Sequence, residues 1–483
     1  MSWLFSYLFF YKPVQSAPQI YAARQWLSIC IGLSLALVTS MSLATDLQFD
    51  LTQLSLEELM HVEITTVAKK EQPLFESPAA VYVITREDIR RAGFTSISEA
   101  LRLAPGLQVA RLDANKWAIT ARGFNGRFAN KLLVLIDGRI VYTPLFSGVF
   151  WEVQDLLLED VERIEVIRGP GATLWGANAV NGVINIITRG ARDTQGGLVR
   201  TGTGSEERGF GALRYGGALS PEAHYRIYAK YFKRDAFVDA AGAKTADDWD
   251  IVRGGFRLDW EPPHPGSLTL IGDMYGGTLG QTLEEIASPQ PPYIQSFDFD
   301  TEVAGASLLG RWKHRTAAGA DLTLGLFLDR SERQDVVFDE VRHTLDMDFQ
   351  QHFAPSLRQD VVWGLGYRLT SDRLDSTFLF IDPPERKVQI FSAFVQDEIA
   401  LAQNRLRLTL GSKLEHNDFT GIEIQPNVRL LWMPSKQHAT WAAAPALATA
   451  RRLHLPAHGY RHCSRQSGFR LGKGSQGCPQ PSV

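Results

Sequence analysis

The stretch Tyr225-Arg226-Ile227-Tyr228-Ala229-Lys230-Tyr231 puts Tyr225, Ile227, Ala229 and Tyr231 on one face of an extended chain and Arg226, Tyr228 and Lys230 on the other, because strand side chains alternate between two faces. The same period of two returns at Phe256, Leu258 and Trp260, at Leu322, Leu324, Leu326 and Leu328, at Val361, Trp363, Leu365 and Tyr367, and at Leu406, Leu408 and Leu410. Turns rich in Pro, Gly and Asp separate these runs. Long strands with one wholly apolar, aromatic-rich face suit an antiparallel barrel bathed in lipid. A soluble sandwich carries the same alternation, so the pattern alone leaves both open.

Upstream, residues 72–190 have a different texture. The apolar run Ala80 to Ile84 leads into Thr85-Arg86-Glu87-Asp88, where an N-cap hydroxyl and acids in the first turn predict a helix. That helix should end at Gly93. A second is expected after Ser96, with Ile97, Ala100, Leu101 and Leu103 on one face, stopping before Pro105-Gly106 because the residue before a proline disfavours helical backbone. The run Leu107 to Leu112 follows. Asp137-Gly138, between Leu132 to Ile136 and Arg139 to Tyr142, is the dipeptide selected by a two-residue hairpin with positive φ at both positions. Val161 to Ile167 and Val183 to Thr188 read as strands, the second after the Gly/Asn-rich turn Gly176 to Gly182. Short helices among short strands predict a compact α/β unit.

The motifs Ala79-Ala80-Val81-Tyr82-Val83-Ile84, Arg122-Gly123-Phe124, Leu135-Ile136-Asp137-Gly138, Ile164-Glu165-Val166-Ile167-Arg168-Gly169-Pro170 and Asn181-Gly182-Val183-Ile184-Asn185-Ile186 occur in this order. Together they resemble the plug of a TonB-dependent outer-membrane receptor and cover nearly all of residues 72–190. The resemblance implies an α/β plug domain followed by an antiparallel transmembrane β-barrel over residues 196–443, in the outer membrane of a Gram-negative bacterium. It implies that Val62-Glu63-Ile64-Thr65-Thr66-Val67, within the lead 45–71, is the TonB box, which pairs with the TonB energy-transducing complex. On the residues alone this β-branched run is either an ordinary first strand or one that adds to a partner's sheet edge. Arg122 and Arg168 match positions that in similar receptors reach barrel glutamates, so the resemblance implies a plug–barrel latch, with Glu398 and Glu415 as barrel candidates. A buried guanidinium needs such a partner. Gly169-Pro170-Gly171 has no Lys-Ser/Thr after it and reads as a tight turn rather than a phosphate cradle.

Residues 1–44 read as an export signal, since Arg24 precedes the apolar run Leu27 to Val38 and Ser42-Leu43-Ala44 offers small residues for cleavage. The run is shorter than the ~20 apolar residues of a spanning helix. An additional apolar stretch, Trp3 to Tyr11, is odd for a signal, and one explanation is a start codon assigned too early. Only about twenty residues separate Ala44 from Val62, too few for a separate signalling domain. A plugged barrel of about 22 strands needs roughly 450 residues, whereas about twelve or thirteen strands are counted between Gly196 and Ala443, so the barrel is expected to be incomplete. Beyond Pro445 the alternation gives way to Ala, Arg, His, Gly and Cys. Residues 444–483 are therefore expected to be an out-of-frame tail, in which the spacing of His454, His458, His462 and Cys463 is accidental rather than a metal site. A sheet of this size should stay open, or close too narrowly for its plug.

A net charge of -3 supplies no basic field for nucleic acid, and three cysteines build no disulfide framework. No His-Glu-x-x-His, Gly-x-Ser-x-Gly or paired-cysteine pattern occurs, so the chain is expected to be non-enzymatic and to use no cofactor. Its expected partners are the TonB complex, outer-membrane lipid and an extracellular small-molecule ligand such as a ferric chelate. The expected function is energy-coupled uptake of a scarce solute. Two other readings stand beside it: a non-transporting remnant in which only the plug folds, and a soluble periplasmic binding module.

Overall fold

A computed structural model describes residues 63–445 except 68, 71, 170, 177–178, 287–293, 377–381, 403–404 and 436–437. The export signal, most of the tail, Val62 and Pro170 lie outside the described residues.

The first unit opens with two short paired strands, β1 (Glu63–Ile64) and β2 (Gln72–Pro73). Strand β3 (Val81–Thr85) then feeds helix α1 (Arg86–Ala92). Thr85 and Asp88 cap that helix reciprocally, and Gly93 ends it at a φ of 71°, a conformation that costs glycine little. Helix α2 (Ile97–Ala100) is capped by Ser96. A hairpin follows, β4 (Leu107–Arg111) with β5 (Trp117–Ala121). The main sheet takes β6 (Leu132–Ile136), β7 (Arg139–Ile140), β8 (Val161–Arg168) and β9 (Gly182–Thr188), in the order β3-β8-β9-β6-β7. Among the described residues only β6 and β9 pair in parallel. All five residues of β6 are apolar and buried, as expected of a central strand covered on both faces. Asp137 and Gly138 turn the β6–β7 hairpin at φ values of 49° and 83°.

The second unit is one antiparallel sheet of thirteen strands, from Gly196–Gly202 to His438–Pro445, each paired with the next in sequence. Its inner strands run from 12 to 22 residues, longer than the roughly 9–11 that cross a bilayer, so the sheet stands well beyond the membrane. One end carries short turns such as 221–222 and 357–358, and the other carries longer connections such as 235–248. Outer-membrane barrels place short turns on the periplasmic side and longer loops outside.

Burial settles sandwich against barrel. Along strand Gly421–Ser435, Ile424, Val428, Leu430 and Trp432 are 39–59% exposed, while Gln425, Asn427 and Arg429 are 2–7% exposed. A sandwich would bury the apolar face, whereas this sheet turns it outward and keeps the polar face against the plug. Among the described residues the first and last strands each have one unpaired edge, so the sheet is open and the barrel incomplete. No helix of the described residues is long and apolar enough to cross a membrane.

Candidate coupling segment and plug–barrel interface

Segment Glu63–Val67 lies against the plug sheet rather than free of it. Ile64 and Val67 are buried among Leu133, Leu135, Ile167 and Val183, a contact that contributes about 1.5–3 kcal/mol for each side chain removed from water. Polar residues hold the backbone between them. The Thr65 and Thr66 amides donate to the Glu165 carboxylate at 3.1 and 2.9 Å, and the Thr66 hydroxyl donates to it at 2.5 Å. Asn185 Nδ2 donates to that hydroxyl at 3.0 Å, and Trp175 Nε1 to the Thr66 carbonyl at 2.8 Å. Register explains the convergence: Glu165 on β8 faces Asn185 on β9, so both side chains leave the same side of the sheet. Glu165 is fully buried, and Arg163 Nε completes its shell at 2.9 Å. A buried carboxylate persists only when partnered in this way.

Two residues further along, the chain changes partners. Lys69 takes a positive φ of 54°, reaches Asp348 at 3.5 Å, and sits over the rings of Trp175 and Phe394 at 4.9 and 4.5 Å. Gln350 donates to its carbonyl at 2.8 Å. Lys70 pairs with Asp360 at 2.8 Å and Glu398 at 3.8 Å. Asp360 lies just after the short turn 357–358, which places the segment at the short-turn end of the sheet. A cavity of about 1460 Å³, lined by Thr65, Lys69, Arg139, Arg311 and His352 among others, separates the segment from part of the wall.

Around the helices Trp151–Val153 and Leu158–Asp160 the plug contributes acids and backbone carbonyls and the barrel contributes cations, the reverse of Lys69, Lys70 and Arg111, which meet the barrel acids Asp348, Asp360 and Glu206. Arg333 meets Glu152 at 3.1 Å and Lys230 meets Asp155 at 2.7 Å. Arg214 and Arg226 meet Asp160 at 2.5 and 3.4 Å. Arg253 donates to the Val153 carbonyl at 2.5 Å and Arg226 to the Arg189 carbonyl at 2.6 Å. Arg311 donates to the Asp137 carbonyl, while the Asp137 carboxylate accepts from the Thr188 amide and hydroxyl at 2.9 and 3.0 Å.

The arginines expected to form the latch sit elsewhere. Arg168 donates to the Pro105 carbonyl within the plug at 3.1 Å. Arg122 is exposed at a φ of 64°, its guanidinium beside Gly169. Neither forms an ion pair with a barrel carboxylate among the described residues. Glu398 instead meets Lys70 and Arg407, and Glu415 meets Lys413. Barrel strands carry cations toward the plug because the plug's short helices Trp151–Val153 and Leu158–Asp160 present Glu152 and Asp160, both buried.

At the opposite end the plug turn 113–116 enters the longer connections. The Ala114 amide donates to Asp247 at 2.7 Å, and Asn115 Nδ2 to the carbonyls of Asp247 and Gly280 at 3.0 and 2.8 Å. Burial opposes ionisation of Asp247, but hydrogen bonds from the Thr245 hydroxyl and the Ala114 and Phe237 amides outweigh it and hold its pKa below the ordinary carboxylate value.

Glu165, Asn185 and Trp175 were not singled out by the sequence. A signal was present: one carboxylate inside Ile164-Glu165-Val166-Ile167 and one amide inside Val183-Ile184-Asn185-Ile186, polar groups in strands otherwise built for burial.

The family model described as TonB-dependent Receptor Plug Domain matches residues 73–183. The iron-regulated outer membrane virulence protein of Vibrio cholerae is 32% identical over 384 residues, which are 76% of this chain and 57% of that protein. The vitamin B12 transporter BtuB of Vibrio vulnificus is 32% identical over 145 residues, 30% of this chain and 23% of that protein. The chain thus spans little more than half the length of these relatives, or less. Among solved structures, the pyoverdine outer membrane receptor FpvA of Pseudomonas aeruginosa superposes with a TM-score of 0.63 at 16% identity, covering 79% of this chain and 64% of that one, a likeness of fold.

Proposed function

We propose that this chain, which carries the plug and the barrel strands of a TonB-dependent receptor of the Gram-negative outer membrane, acts in energy-coupled uptake of a scarce extracellular solute. The observation that carries the reading is the segment Glu63–Val67 at the short-turn end of the sheet, a strand at Glu63–Ile64 that turns at Thr66–Val67, held to the plug by the burial of Ile64 and Val67 and by hydrogen bonds from its own backbone and Thr66. Such a segment, once undocked, offers the same donors to the edge of a partner's sheet. In this reading residues 62–67 are the TonB box and the partner is the periplasmic domain of TonB.

For the solute we infer a ferric siderophore-like chelate. The 384-residue match to the iron-regulated protein, which runs beyond the plug into the barrel strands, supports that class. Cobalamin is the second reading, favoured by the shorter match to a vitamin B12 transporter. Quenching of intrinsic fluorescence by ferric siderophores and by cyanocobalamin separates the two. The box assignment is tested by Ile64→Pro, which removes a backbone donor. Capture of the purified TonB periplasmic domain should be lost, and capture at the wild-type level refutes the assignment.

A further inference from the structure

We propose that Glu165 is a clasp controlling release of the coupling segment, and that Lys69 and Lys70 form a stop confining that release to residues 63–67. The proposal rests on the reading of residues 62–67 as the box and adds how its exposure is regulated.

The clasp follows from where the donors come from. Three donors of Thr65 and Thr66 converge on one carboxylate, and the remaining one, Arg163, comes from the same strand as Glu165. When the segment leaves, Glu165 keeps its arginine and faces the cavity that Thr65 now lines. Water entering that polar space replaces the lost donors. Undocking therefore exchanges hydrogen bonds instead of stranding a bare charge, which makes the clasp reversible. Trp175 and Asn185 act alongside it, each through a single bond to Thr66.

The stop follows from a change of partner body. Lys69 and Lys70 are held by Asp348, Gln350, Asp360 and Glu398, which stand on three adjacent barrel strands and do not travel with the plug. A pull applied upstream of Glu63 thus parts β1 from β2 and strips Thr65 and Thr66 from Glu165, then loads the barrel wall at Lys69 and Lys70. Five freed residues extend by roughly 17 Å at most, which sets the reach of the released segment.

The test uses the whole chain with its cysteines replaced by serine, a spin label at Glu63→Cys, and trypsin as a probe of Lys69 and Lys70. Glu165→Gln should raise the mobile label population roughly tenfold or more, the scale of losing charge-assisted hydrogen bonds, while cutting after Lys69 and Lys70 stays at the wild-type rate. Thr66→Val should act in the same direction and more weakly. Asp360→Asn combined with Glu398→Gln should do the reverse, speeding cleavage after Lys70 while the label stays immobile. A label immobile in both Glu165→Gln and Thr66→Val overturns the clasp; Thr66→Val decides alone if Glu165→Gln does not fold. Faster cutting at Lys69 and Lys70 in Glu165→Gln overturns the stop. Label release without tighter binding of the TonB periplasmic domain supports the clasp and removes the box reading instead.

Discussion

Replacing Asp160 by Asn should loosen the plug from the barrel by far more than a surface ion pair would. Asp160 faces Arg214 at 2.5 Å and Arg226 at 3.4 Å, and all three side chains are at most 8% exposed. Exposed pairs contribute about 0–1 kcal/mol, whereas removing one partner of a buried pair costs about 3–5 kcal/mol because the other charge stays behind. Here two guanidinia stay behind. The Arg189 amide bonds the Asp160 backbone carbonyl, so the substitution leaves the local chain tied and isolates the charge effect. Urea titration followed by thiol labelling of Ala118→Cys, buried in the plug, in the chain with its own cysteines replaced by serine, reads the loss. With a slope near 2 kcal/mol per molar urea, the plug midpoint should fall by roughly 1.5–2.5 M. Arg200 with Glu159, 30% and 27% exposed, is the internal control, and Glu159→Gln should move the midpoint by less than about 0.5 M. Equal small shifts in the two variants would refute the claim that burial decides the strength of this interface.

Gly138→Ala should destabilise the plug by about 1–2 kcal/mol in the same titration, because φ is +83° there and the new Cβ would lie 2.8 Å from Arg311 Nη2; an unchanged midpoint would show that the hairpin yields freely. Contact between the plug turn 113–116 and Asp247 should be acid-sensitive. The folded carboxyl titrates below its ordinary value of about 4, so its contribution is fully present above that value and is lost as pH falls through the lower folded pKa. Hydrogen exchange at the Ala114 amide should accelerate at acid pH relative to a neighbouring amide, and Asp247→Asn should abolish that relative dependence.

Much of the fold was legible because it is written locally. Alternation at Tyr225 to Tyr231 reports a strand with two unlike faces, and a count of twelve or thirteen strands meets the thirteen observed. Thr85 with Asp88, Gly93 and Asp137-Gly138 mark ends and turns through their own backbone chemistry. Strand length was not legible, since hydrophobicity marks only the part in lipid and strand Ile294–Arg315 continues for 22 residues. The partners of the coupling segment were hidden for another reason. Thr66 and Glu165 are 99 residues apart, and no local period connects them. Arg122 and Arg168 show the limit of carrying a role over from a resemblance: a guanidinium needs acceptors, and for Arg168 the nearby Pro105 carbonyl supplies one inside the plug. Plug acids were overlooked because Glu152, Asp155 and Asp160 resemble ordinary loop carboxylates until the cations of distant strands are placed beside them.

Where Glu152, Asp155 and Asp160 meet barrel cations, the plug serves the barrel as a folded counterion. Arg214, Arg226, Lys230 and Arg333 point at the same interior and find carboxylates on the plug. Without it those cations would repel one another across a space that water and salt only partly screen. Small anions could stand in as free solutes, each losing its translational freedom on binding. The plug brings Glu152, Asp155 and Asp160 on one covalent frame and loses that freedom once, so assembly of the wall and seating of the plug are coupled events, with ionic strength as the variable that separates them.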